Sequence, residues 1–117
     1  MFRSLARLAM VASVLWATAS IAADPFVDGL EDVPLMAGLA ALPDRNVTFD
    51  KPSGRIVESY AHGAVRRADV IRFYDATLPQ LGWSGKARVY RRESEELRLG
   101  FEGKDGALVV RFSLSPR

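Results

Sequence analysis

The sequence predicts an α+β fold: an antiparallel sheet with one amphipathic helix packed on one face, strands in the order β-β-α-β-β-β, and an extended N-terminal arm. Three observations lead there. Arg66 to Leu81 carries apolar residues at helical spacing. Five other stretches alternate, or are rich in β-branched and aromatic residues. The last three of these are joined by tight connections.

The helix is the clearest element. Val70, Phe73, Tyr74, Thr77, Leu78 and Leu81 form one stripe, and Arg66, Arg67, Arg72, Asp75 and Gln80 take the other faces. Pro79 should end or distort the last turn, and Gly82 supplies a positive-φ stop.

Before the helix, Asn46 to Asp50 alternates as a short strand, and Lys51-Pro52-Ser53-Gly54 reads as a turn. Arg55 to His62 is a second strand, ended by Gly63. After the helix come Lys86 to Glu93, Glu96 to Glu102 and Ala107 to Leu114. Asp105-Gly106 is a strong hairpin signal, because a type I′ turn needs positive φ at both central positions. It aligns Leu99 with Phe112 and Phe101 with Val110. For the preceding hairpin, a three-residue loop at Glu93-Ser94-Glu95 pairs Val89 with Leu99 and places Arg92 opposite Glu96, Tyr90 opposite Arg98 and Lys86 opposite Glu102. Register follows the buried face, so this loop is preferred to a two-residue turn at Ser94-Glu95. Tyr90 and Val109 then point away from the helix.

Residues 1–22 read as a cleaved signal peptide. Arg3 and Arg7 precede an uncharged, apolar or small run from Leu8 to Ile21, and Ser20-Ile21-Ala22 offers a cleavage site after Ala22, with Ala23 as the second choice. The run is shorter than the roughly 20 apolar residues of a membrane span. Residues 23–45 form an arm whose Pro25, Pro34 and Pro43 exclude a long helix, with Leu35 to Leu42 expected to hold a helical turn or two. It is too apolar to stay solvated, so it should lie against the domain, residues 46–117, or against a partner.

With Arg3 and Arg7 removed, the 16 basic and 14 acidic residues of the chain become evenly matched. The charge is unevenly placed, since residues 23–50 hold six acids against Arg45 alone, whereas residues 51–117 hold thirteen bases against eight acids. Two consequences stand side by side: attraction between arm and domain, or a basic face for an anionic partner. The absence of cysteine excludes thiol catalysis, thiolate metal sites and a lipid-modified N-terminus. A leader on a chain without disulfides points to the bacterial periplasm, or to secretion beyond it.

Little in the sequence carries catalysis. The single histidine, His62, ends a strand and no nucleophile motif surrounds any serine, so a small hydrolase using His62 with a nearby acid is the alternative rather than the leading reading. Asp28, Glu31 and Asp32 lack the alternation and central Gly of a calcium loop, and no metal or cofactor is expected. Lys86 to Arg92 resembles a polyanion patch. Cross-strand pairing accounts for Lys86 and Arg92 and leaves Arg88 and Arg91 over, as a surface for anionic lipid or glycan.

Phe73-Tyr74-Asp75-Ala76-Thr77-Leu78-Pro79-Gln80-Leu81-Gly82-Trp83 turns the chain sharply, so that Trp83 either closes the core's end or stacks on a ligand. This stretch, with Asp32-Val33-Pro34-Leu35-Met36 and Phe49 to Arg55, resembles a recurring arrangement in small exported bacterial domains of unknown function. The resemblance implies a helix feeding a Gly-Trp turn and a β-meander, and brings no catalytic residues. The expected function is a non-enzymatic binding or interaction module with an envelope protein partner, no nucleic acid, and membrane contact only during export. Its interaction surface would draw on Phe26, Leu30, Leu35 and Met36 of the arm, with Trp83, Arg88, Tyr90, Arg91 and Val109 of the domain.

Overall fold

The computed structural model describes residues 26–117 and the isolated position Ser13. The expected leader and its cleavage positions Ala22 and Ala23 lie outside the described residues. A two-stranded hairpin, β1 (Phe26–Val27) and β2 (Leu30–Pro34), comes first. It leads into β3 (Ala40–Ala41), a 3-10 turn at Pro43–Arg45, β4 (Val47–Lys51) and β5 (Gly54–Gly63). The helix α1 (Arg67–Thr77) and a 3-10 turn at Leu78–Leu81 follow. Four strands then complete the chain: β6 (Ser84–Lys86), β7 (Val89–Arg92), β8 (Glu95–Lys104) and β9 (Ala107–Pro116). Seven strands form one antiparallel sheet in the order β3-β5-β9-β8-β7-β6, with β4 also pairing β5. The one α-helix among the described residues packs on it, so the α+β class predicted from the sequence is the observed one.

The helix ends where the sequence placed its stop. α-Helical bonding gives out at Thr77 before Pro79, and Gly82 takes φ 91° while its N–H caps the 3-10 turn. At the other end Arg66 provides no side-chain cap. Asp105 supplies one from the β8–β9 turn, accepting from the Arg67 N–H at 2.8 Å, and the Gly106 N–H donates to Val65 O at 3.0 Å. The hairpin tip thereby fixes the start of the helix and places a carboxylate at the positive end of its dipole.

The β8–β9 register is the predicted one, with Leu99 opposite Phe112, Phe101 opposite Val110 and Lys104 opposite Ala107. The turn is not the expected type I′, since Gly106 takes φ 89° and Asp105 does not take positive φ. Leu97, Leu99, Leu108, Val110, Phe112 and Leu114 face the helix, where Val70, Tyr74 and Leu78 meet them fully buried. Leu81, placed on the stripe by its spacing, is instead 42% exposed, because the 3-10 turn rotates it off the α-helical face.

The β7–β8 register differs from expectation. Val89 pairs with Arg98, Tyr90 with Leu97, Arg91 with Glu96 and Arg92 with Glu95. The turn is Glu93-Ser94, with Glu93 at φ 52°. The slip of one residue turns Tyr90 into the core and Val89 out. It wins because Tyr90 is the larger side chain and its hydroxyl finds Asp75. The expected strand from Lys86 to Glu93 is also broken, folding back at Ala87-Arg88 to form the β6–β7 hairpin.

The arm is part of the core. Val27, Leu30, Val33 and Leu39 are buried with the sheet and helix residues. No helical turn forms between Leu35 and Leu42. That segment leaves β2, turns, and enters β3, where Ala40 pairs with His62. Tyr74 holds the arm in place, its hydroxyl donating to Pro34 O at 2.8 Å and accepting from the Met36 N–H at 3.2 Å. Asp32 adds an ion pair to Arg92, whose guanidinium lies 4.3 Å over the Trp83 ring. Apart from Arg45, which reaches over Tyr60, the arm thus packs on the helix side and leaves the opposite face of the sheet bare.

Candidate functional site

Strand alternation decides what the bare face carries. From β5 it takes Ile56, Glu58, Tyr60 and His62; from β9, Val109, Arg111 and Ser113; from β8, Glu96, Arg98, Gly100 and Glu102; and from β7, Val89 and Arg91. Beside them β4 sets Val47 and Phe49, each 46% exposed, opposite Glu58 and Ile56. A face with this much charge needs no second layer, which accounts for its exposure.

The charges are arranged in ties across the strands. Arg45 reaches over the Tyr60 ring at 4.1 Å and makes two hydrogen bonds to Glu102 on β8, at 2.9 and 3.3 Å. These bonds hold the Glu102 carboxyl below the usual carboxylate range, with Arg111 adding to the effect through its charge. Glu96 is held low by its hydrogen bond to Arg98, and it accepts from Arg91 as well.

Between these ties lies a depression of about 420 Å³ whose rim includes Arg88, Val89, Arg98, Gly100, Arg111 and Ser113. Arg111 lies across Gly100: a Cβ there would sit 2.7 Å from its Nη2. A side chain at this position would push the Arg111 guanidinium aside. Neither Arg88 nor Arg111 forms an ion pair among the described residues. Arg88 sits on the β6–β7 turn, where Ala87 and Arg88 have φ of 54° and 85°. Both angles are costly for side chains with a Cβ. Two bonds hold the turn: the Ala87 N–H to Asp75 Oδ1 at 3.0 Å, and the Leu99 N–H to Arg88 O at 2.9 Å.

The residues expected at an interaction surface are dispersed. Leu30, Trp83 and Tyr90 are core residues, Trp83 being 3% exposed and the other two fully enclosed. Trp83 therefore closes the core and has no free ring face for a ligand. Tyr90, expected to point outward, points to the helix, corrected by the one-residue register slip. Leu35 and Met36 pack partly against the core, Phe26 is 43% exposed at the arm's start, and Val109 is half-buried on the bare face. Arg91, expected to be unpaired, bonds Glu96 at 3.3 Å; Arg88 is brought to the depression. Arg98 and Arg111 were not singled out from the sequence. Their signal was the alternation of β8 and β9, which puts both on the face opposite Leu99 and Phe112.

His62 is exposed at the sheet's end in a second hollow with Gly63, Gly106 and Val109. No hydrogen bond or ion pair joins it to a serine or carboxylate among the described residues. Nor do the described residues contain a cluster of three or more metal-ligating side chains. Asp28, of the acidic trio in the arm, accepts from Asn46 at 3.2 Å, and Asp32 is engaged by Arg92. No helix among the described residues is long and apolar enough to cross a membrane. No family model, curated protein or solved structure matches the chain.

Proposed function

We propose that the chain is exported to the periplasm or beyond it and works there as a non-enzymatic binding module, receiving an anionic partner on the bare face of its sheet. The observation that carries this reading is the charge of that face. Arg45, Arg91, Arg98 and Arg111, with Arg88 at the rim, stand against Glu58, Glu96 and Glu102, and the three acids are already engaged in hydrogen bonds. Positive charge is left for a partner, and it is concentrated at the depression that Arg88 and Arg111 both line. The zoned leader of residues 1–22 supports export, as does the resemblance to exported domains with a Gly-Trp turn. The isolation of His62 from any nucleophile or acid among the described residues supports binding over hydrolysis.

Two measurements test the reading. Cell fractionation with N-terminal sequencing should place the protein in the envelope fraction, beginning at Ala23, or at Asp24 with the second cleavage choice. Material retained in the cytoplasm and starting at Met1 would sink the export claim. Native pull-down from that fraction should retain a partner with the wild type and lose it with Arg88→Glu/Arg111→Glu, and raised salt should weaken capture. Equal recovery by both proteins, or none by either, would count against the bare face.

A further inference from the structure

We infer that the depression over Gly100 is a binding site for a phosphoryl group, free or esterified. This deepens the proposed reading of the bare face and rests on it.

The first argument is charge. Three arginines, Arg88, Arg98 and Arg111, line one hollow. Arg98 is paired with Glu96, which Arg91 shares, whereas Arg88 and Arg111 form no ion pair among the described residues. Glu102 is held by both terminal nitrogens of Arg45, and Glu58 accepts from the Ser113 hydroxyl at 3.4 Å. A phosphate monoester offers three terminal acceptor oxygens and up to two charges, and a phosphodiester two terminal oxygens and one charge set tetrahedrally with its ester oxygens. Either can face more than one guanidinium fork at once, whereas a planar carboxylate answers one.

The second argument is preorganisation. Arg111 is laid along the Gly100 backbone, in space that any side chain at that position would take. Arg88 stands on a turn whose two residues occupy the left-handed region and which Asp75 and the Leu99 N–H hold from either side. Backbone held in a costly conformation by its surroundings recurs where a group has to be presented in one place. The hollow, at about 420 Å³, accommodates a tetrahedral oxyanion with a small organic substituent, for which Val89 provides apolar wall.

The test is amide NMR of the purified protein titrated with inorganic phosphate, ionic strength being held constant with sodium chloride. Saturable shifts are expected at Ala87, Leu99 and Gly100. Arg88→Ala and Arg111→Ala should each weaken binding by about tenfold or more, and Arg111→Lys by less, since it keeps the charge and loses the fork. Gly100→Ala leaves the net charge alone yet displaces Arg111, and should also weaken binding. Arg72→Ala, on the exposed side of α1, should not. Two further arms separate the sources of the group. Glycerol phosphate bound in solution, with no retention on phosphatidylglycerol vesicles, assigns a soluble ester. Retention on those vesicles but not on phosphatidylcholine, lost with Arg111→Ala, assigns a lipid headgroup. Chloride reproducing the shifts, or unchanged affinity in both alanine variants, overturns the site. If phosphate fails while Arg88→Glu/Arg111→Glu still abolishes partner capture, this inference falls and the proposed function stands.

Discussion

The hydroxyl of Tyr90 donates a 2.6 Å hydrogen bond to Oδ1 of Asp75, joining the outer part of the sheet to the helix from within the core. The same oxygen accepts from the Ala87 N–H, so one carboxylate fixes both the register of β7 and the turn that carries Arg88. Replacing Asp75 by Ala would leave a buried hydroxyl without its partner. A hydrogen bond to a charged group is worth about 1.5–3 kcal/mol, and an unsatisfied buried donor adds its desolvation cost. Asp75→Ala is therefore expected to lower unfolding free energy by about 2–3 kcal/mol in urea titrations. Tyr90→Phe, which removes the donor together with the need for a partner, should cost less. Equal losses in the two variants would mean that the bond does not set the penalty.

Tyr74 does for the arm what Tyr90 does for the meander. Its ring packs edge-on to Phe112 at 5.5 Å, and its hydroxyl serves Pro34 O and the Met36 N–H. Tyr74→Phe keeps the ring and orphans two backbone groups. The expected loss is about 1–3 kcal/mol, accompanied by faster hydrogen exchange at Met36 and its neighbours while β8 and β9 keep their protection. Uniform acceleration across the sheet would show that the arm does not open separately.

Burial raises the pKa of Tyr74 and of Tyr90 well above the ordinary phenol value of about 10, and for Tyr90 the bond to Asp75 adds to it. Below pH 10 both tyrosines are protonated in the folded and unfolded chains alike, and their stabilising effect is fully present. Above it the unfolded chain releases protons that the folded one keeps, so stability is lost as pH rises. Each such group contributes a slope of about 1.4 kcal/mol per pH unit. Urea midpoints should therefore be insensitive to these residues at neutral pH and fall steeply above about pH 10, and less steeply in Tyr74→Phe. A wild-type midpoint that is flat through the same range would contradict their burial.

What the sequence disclosed followed from signals with one physical meaning. The 3.6-residue stripe of α1 as far as Leu78, the Pro79-Gly82 stop and the position of the Asp105-Gly106 turn each admit few conformations, and each was found where expected. Leu81, by contrast, left the stripe, and Gly106 alone of the turn pair took positive φ. The β6–β7 hairpin was missed because Ala87-Arg88 takes positive φ without glycine or asparagine to announce it. Without that turn, β7 looked like the end of a long strand, and the Glu93-Ser94 turn gave no glycine to correct the register. The rim of the depression was half-legible. Arg88 stood out as an unpaired charge, whereas Arg98 and Arg111 became neighbours only through the pairing of β8 with β9, which places Gly100 opposite Arg111. The arm's burial depends on Tyr74 meeting Pro34, forty residues away in sequence, and no local pattern encodes that contact.

The Ala87-Arg88 turn allows strain and function to be separated. A residue with a Cβ in the left-handed region costs about 1–2 kcal/mol, whereas glycine adopts that region freely but brings about 0.5–1 kcal/mol of extra backbone entropy to the unfolded chain. The first figure is the larger, so Ala87→Gly should raise stability by about 0.5–1 kcal/mol, visible as a higher urea midpoint with an unchanged slope. The substitution leaves the N–H that Asp75 accepts and the placement of Arg88, so phosphate affinity should hold at its wild-type value. Arg88→Gly relieves the same kind of strain one residue later, where φ is 85°, and removes the guanidinium. It should stabilise the fold comparably and weaken phosphate binding. A turn that is destabilised by both substitutions is not left-handed, and Arg88 is then not held at the rim by its backbone.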